Sequence, residues 1–98
     1  MSHQFERTIP ASHPSLPGHF PGNPVVPGVV ILDEILQALE QWRPGSQIDA
    51  ISSVKFVAPL AATQVFTVRF AVHDERRIGF ECLIEGRKLA YGQLETMA

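Results

Sequence analysis

Residues 28–42, GVVILDEILQALEQW, constrain this chain more than any other stretch. They read as a helix of about four turns, roughly 22 Å long at 1.5 Å per residue. Pro44-Gly45 ends it, because the residue before a proline leaves the α region. At 100° per residue, Asp33, Glu34, Gln37, Glu40 and Gln41 fall within an arc of roughly 120°. Around the rest of the circumference stand Val29, Val30, Ile31, Leu32, Ile35, Leu36, Ala38, Leu39 and Trp42. A helix this apolar has to be wrapped by other elements rather than laid on a surface. The wrapping must come from a chain of 98 residues, one domain near the lower end of what buries its own core. At 45% hydrophobic content the chain is globular, and so small an apolar domain is expected to cover part of its surface with a second copy of itself.

The second half supplies the wrap. Residues 47–57, 64–73, 77–85 and 88–96 read as strands, and residues 4–9 as a shorter one. Phe66, Val68, Phe70 and Val72 alternate with Val65, Thr67, Arg69 and Ala71, and Ile78, Phe80, Cys82 and Ile84 alternate with Gly79, Glu81, Leu83 and Glu85. Phe5, Arg7 and Ile9 alternate with Gln4, Glu6 and Thr8 in the same way. HDERR and EGRK are hairpin signals, and APLAAT is a short connection. One helix and a run of antiparallel strands make an α+β layer architecture in a single domain, residues 1–98.

Several function classes are disfavoured. A net charge of −2 and a pI near 6 make no case for nucleic acid or a membrane surface. The longest uncharged apolar run, Val29 to Leu32, is far too short to span a bilayer. No charged and apolar leader opens the sequence. Cys82 has no second cysteine to pair with, which fits a reducing compartment, and the cytoplasm is the expected location.

Chemistry is concentrated before and inside the helix. Six of the eight prolines lie between Pro10 and Pro27, so this segment is a rigid, irregular loop that could mount a side chain in one direction. His19 stands in it, framed by Gly18 and by Phe20-Pro21-Gly22. It is either a fixed acid–base group or an ordinary surface-loop histidine. Asp33 sits among Ile31, Leu32, Ile35 and Leu36. Burial there would favour the protonated form that a general acid requires, whereas a place on the polar arc would leave it solvated. Gln37, one turn on, is within reach of the Asp33 carboxyl. Gly28 opens the helix, where backbone N–H groups lack acceptors and a charged carbonyl oxygen would be stabilised. The four histidines and Cys82 show no zinc-ligand spacing, so no metal is expected.

The stretch GHFPGNPVVPGVVILDEILQ resembles the signature of the β-hydroxyacyl-acyl carrier protein dehydratases, the FabZ and FabA type. That signature runs roughly GHFPGxPxxPGVLxxE/D, with a glutamine four residues after the acid. ISSVKFVAPL and EGRKLAYGQLETMA are similar to the family's later strands, so the likeness covers about residues 6–98. The resemblance implies a hotdog fold, an antiparallel sheet wrapped around one long helix. It implies a dimer at least, with each site taking its histidine from one chain and its acid from the other. His19 would be the base, Asp33 the acid, Gly28 and Val29 the N–H donors to the thioester carbonyl, and Gln37 the residue that holds the acid. The substrate would arrive on the phosphopantetheine of acyl carrier protein, with no further cofactor.

Two departures stand out. Aspartate at the acid position resembles the FabA branch, while most of the motif looks like FabZ. The chain and its helix are also shorter than in typical members, as in compact dehydratases of specialised pathways such as aryl polyene synthesis. Two alternatives therefore accompany the dehydratase reading: a non-catalytic acyl-binding or scaffold subunit of a larger dehydratase, and a hotdog acyl thioesterase. Lys55, Arg69, Arg76, Arg77, Arg87 and Lys88 form a scattered positive set that could meet an acidic carrier protein.

Overall fold

The computed structural model describes residues 3–10 and 25–97; the proline-rich segment carrying His19 lies outside them. Strand β1 (Gln4–Thr8) precedes helix α1 (Gly28–Trp42), and β2 (Ile48–Phe56), β3 (Val65–Val72), β4 (Arg77–Ile84) and β5 (Arg87–Thr96) follow. All pairings are antiparallel, in the order β1-β3-β4-β5-β2. The expected helix bounds are met at both ends, and the strands agree to within a residue or two.

Each element follows from its residues. The β4–β5 connection is a two-residue turn in which Glu85 and Gly86 take φ of 50° and 81°, the double left-handed geometry that matches strand twist and favours glycine. In the β3–β4 hairpin, the Asp74 carboxylate accepts the Arg76 and Arg77 backbone N–H groups at 2.9 and 2.8 Å. Those two bonds hold its carboxyl below the usual carboxylate range. The helix stops as Arg43 leaves helical geometry ahead of Pro44, its N–H still bonded to the Leu39 carbonyl at 2.7 Å. At that end Trp42 stacks on Phe70 at 5.3 Å, with His3 and the Arg43 guanidinium also against the indole.

The inner face of the sheet carries Val68, Phe70, Ile78, Phe80, Cys82, Ala90 and Leu94, all buried together with Val30, Ile31, Ile35, Ala38 and Leu39 of α1. Burial of this kind contributes about 25 cal/mol per Å² of apolar surface. From the edge strand β1, Arg7 reaches the polar side of α1, where it donates to Gln41 Oε1 and lies 3.9 Å from Glu34. The wrap is nevertheless one-sided. Val29 is 71% exposed, against the expectation that the whole apolar arc is covered, because one sheet can face only one side of a helix.

Cys82 is fully buried on β4, and burial, with a smaller push from the Glu81 charge, raises its thiol to about 12. A protonated, enclosed thiol is a poor nucleophile. At pH 8 it should therefore resist a disulfide reagent in the native protein and react within seconds in guanidinium. Because the folded pKa is raised, the stability tied to the neutral thiol is present below the unfolded value, about 8.5, and is lost as pH rises toward 12. Rapid native labelling at pH 8 would contradict the enclosure.

Candidate active site

Val29, Asp33 and Gln37 recur at four-residue spacing, so they line one side of α1. All three are exposed. Gln37 Nε2 donates to Asp33 Oδ2 at 2.8 Å, which fixes the carboxylate from one turn below. Of the two placements the sequence leaves open for Asp33, the single chain takes the polar arc. Ile31 and Ile35 turn toward the sheet while Asp33 stays on the polar arc.

One turn above, the helix opens without a side-chain cap. Pro27 is the N-cap, and its carbonyl accepts from Val30 and Ile31. Among the described residues, the Gly28 and Val29 N–H groups have no hydrogen-bond acceptor. No acidic residue occupies the first turn, so the positive end of the helix dipole is uncompensated there. An oxygen gaining negative charge would be stabilised by such donors.

The start of the helix is held by its neighbours. The Val26 N–H bonds to the Leu60 carbonyl at 2.8 Å, and Val25 bridges to Ala61. Phe56, the last residue of β2, lies against Gly28 so closely that a Cβ there would sit 3.0 Å from Cε2 and Cζ of the ring. Sequence reasoning missed this contact. The available signal was parity, the two-residue alternation that sets Phe56 on the face of Val54; in the structure Phe56 pairs with Ala90, a core position, at the end of an edge strand.

The structure brings together Gly28, Val29, Asp33 and Gln37; His19 lies outside the described residues. The positive set is largely neutralised by local pairing. Arg76 bonds Asp49, Arg77 bonds Asp74, and Arg69 and Lys88 share Glu81. Among the described residues, Lys55 and Arg87 have no carboxylate partner.

Among the described residues, a five-stranded antiparallel sheet packs on a single helix, a hotdog fold, with the bonded pair Asp33 and Gln37 on the helix. Residues 1–93 match the family described as ApeI-like, ApeI dehydratase, and the chain belongs to that family. It is 30% identical over 101 residues to the 3-hydroxyacyl-[acyl-carrier-protein] dehydratase FabZ of Ehrlichia chaffeensis, covering 93% of this chain and 71% of the relative. A 32-residue stretch is 50% identical to FabZ of Chloroflexus aggregans, covering 33% of this chain and 22% of that protein.

Among solved structures, a chain of the dehydratase heterocomplex ApeI:P from Xenorhabdus doucetiae superposes with a TM-score of 0.82. The two are 20% identical, over 97% of this chain and 86% of that one. A 1,4-dihydroxy-2-naphthoyl-CoA thioesterase from Synechocystis superposes at 0.71 with 15% identity, over 99% of this chain and 81% of that one. Likeness at such identities is one of fold. Among the described residues, no helix is long and apolar enough to cross a membrane.

Proposed function

We propose that this protein, acting as a single domain in the cytoplasm, dehydrates 3-hydroxyacyl thioesters carried on acyl carrier protein to trans-2-enoyl thioesters and water. His19 removes the α-proton, and the electron pair moves toward the carbonyl, whose oxygen accepts from the Gly28 and Val29 N–H groups. The Cβ–O bond then breaks as Asp33 protonates the departing hydroxyl, and the Cα=Cβ bond forms. Gln37 holds the carboxyl during the transfer. Dipole and donors act where charge develops, which lowers the barrier rather than merely tightening binding. The bond from Gln37 to Asp33, one turn below two N–H groups that have no acceptor among the described residues, in a chain of dehydratase family, carries this reading.

The working unit is at least a homodimer. Asp33 and Val29 are open to solvent in the single chain, and β2 is an unpaired edge that exposes Ile51, Val54 and Phe56, with Val57 beyond its end. Such an edge is a template for another strand. A covering subunit would also dry the site and strengthen its electrostatics.

The test is an absorbance assay for the conjugated enoyl thioester with 3-hydroxyacyl-acyl carrier protein, alongside His19→Ala. Wild type should turn over and the variant should lose about 10²–10⁴-fold, the usual worth of a general base. Release of free thiol without enoyl product would assign a thioesterase instead. A second reading, a subunit that completes a site with a different chain, is favoured by the similarity to a heterocomplex component. Absence of turnover alone, with turnover restored by a second dehydratase-like subunit, would select it.

A further inference from the structure

We infer that Phe56 is a positioning residue for this reaction, acting through Gly28; the inference rests on the dehydratase reading above. Its starting point is the way the helix begins. Pro27 offers no side-chain cap, so the first turn is not locked by the hydrogen bonds that usually define a helix start. Among the described residues it is held from outside by the Val26 N–H on the Leu60 carbonyl, by the Val25–Ala61 bridge, and by the Phe56 ring on Gly28.

The ring stands where any other residue would carry its side chain. A Cβ at position 28 would meet Cε2 and Cζ at 3.0 Å and Cε1 at 3.4 Å, closer than ordinary contact, so glycine and ring form one interlocked unit. That unit ties the first turn of α1 to the end of β2. Gly28 and Val29 present their backbone N–H groups from this turn, and Asp33 follows one turn below. Phe56 thus fixes donors and acid relative to the sheet. It remains 41% exposed, more than a ring serving the core alone would leave to water. Val54, two residues earlier on the same strand face, and Val29 are exposed as well.

A displacement of about 1 Å at a reacting centre costs on the order of 10²-fold. Phe56→Ala should accordingly lower kcat by about 10- to 100-fold with KM within about threefold, and Phe56→Leu should restore most of the loss. Gly28→Ala should cost about as much in the wild-type background, because its methyl displaces the ring. In a Phe56→Ala background the methyl has room, so Gly28→Ala should cost less than about threefold more. Circular dichroism and melting temperature, read on the same samples, separate this from unfolding, which would scale the active fraction and leave kcat per folded molecule unchanged. Wild-type kcat per folded Phe56→Ala molecule, or losses that multiply in the double variant, would overturn the inference while the dehydratase reading stands. An inert wild type would remove both.

Discussion

Asp33→Asn is expected to abolish dehydration while leaving the protein folded. The asparagine carbonyl can still accept the bond from Gln37 Nε2, now 2.8 Å from Asp33 Oδ2, so the side chain keeps its place without a carboxyl to transfer a proton. The group is exposed in the single chain, and such surface changes move stability by roughly 0.5 kcal/mol or less. The loss therefore falls on kcat, by about 10²–10⁴-fold for a general acid. Enoyl absorbance under saturating substrate measures it, with circular dichroism on the same sample. A variant within a few-fold of wild type would take Asp33 out of the reaction and leave Gln37 with nothing to orient.

Gly92→Ala should be the most damaging small substitution in the sheet. Gly92 of β5 lies opposite Phe80 on one side and Val54 on the other. An added Cβ would stand 2.1 Å from the Ser53 carbonyl oxygen and 2.7 Å from Phe80 Cζ. Ser53 follows a register shift in β2, which brings its backbone inward over the bare glycine. A ring can rotate away, but a backbone carbonyl in a ladder cannot move without breaking the pairing. Overpacking of this type costs about 1–3 kcal/mol and more where backbone must shift. For a domain of this size, that corresponds to a fall of about 5–20 °C in melting temperature. Amide exchange should show β2 opening first, and activity should fall with it because β2 carries Phe56. A melting shift below about 2 °C would mean that β2 can slide without cost.

Much of this architecture was legible in the sequence. The helix bounds followed from Gly28 and Pro44-Gly45, and the inward faces of β3 and β4 from strict alternation around Phe66, Val68, Phe70 and Ile78, Phe80, Cys82. The pairing of Gln37 with Asp33 followed from four-residue spacing. What was not legible depends on which surfaces meet. Alternation says that Phe56 is inward but not that Gly28 is what it touches. Helical periodicity groups Asp33 with apolar neighbours but cannot say which side the sheet takes. Charge counting likewise cannot foresee that Arg76 and Arg77 are occupied by Asp49 and Asp74. The motif around His19 was the strongest functional signal in the chain, and its geometry lies in residues outside those described.

The two borders of the sheet are unlike one another. β1 is five residues long and exposes Gln4, Glu6 and Thr8, a short polar border that discourages addition of a further strand. β2 exposes Ile51, Val54 and Phe56. In the homodimer proposed above, joining β2 to β2 would consume the adhesive border of both molecules and present polar β1 at each outer limit, so growth would stop at a closed pair. Had both borders been adhesive, head-to-tail addition would have had no terminus, and the same fold would have been a monomer of filaments.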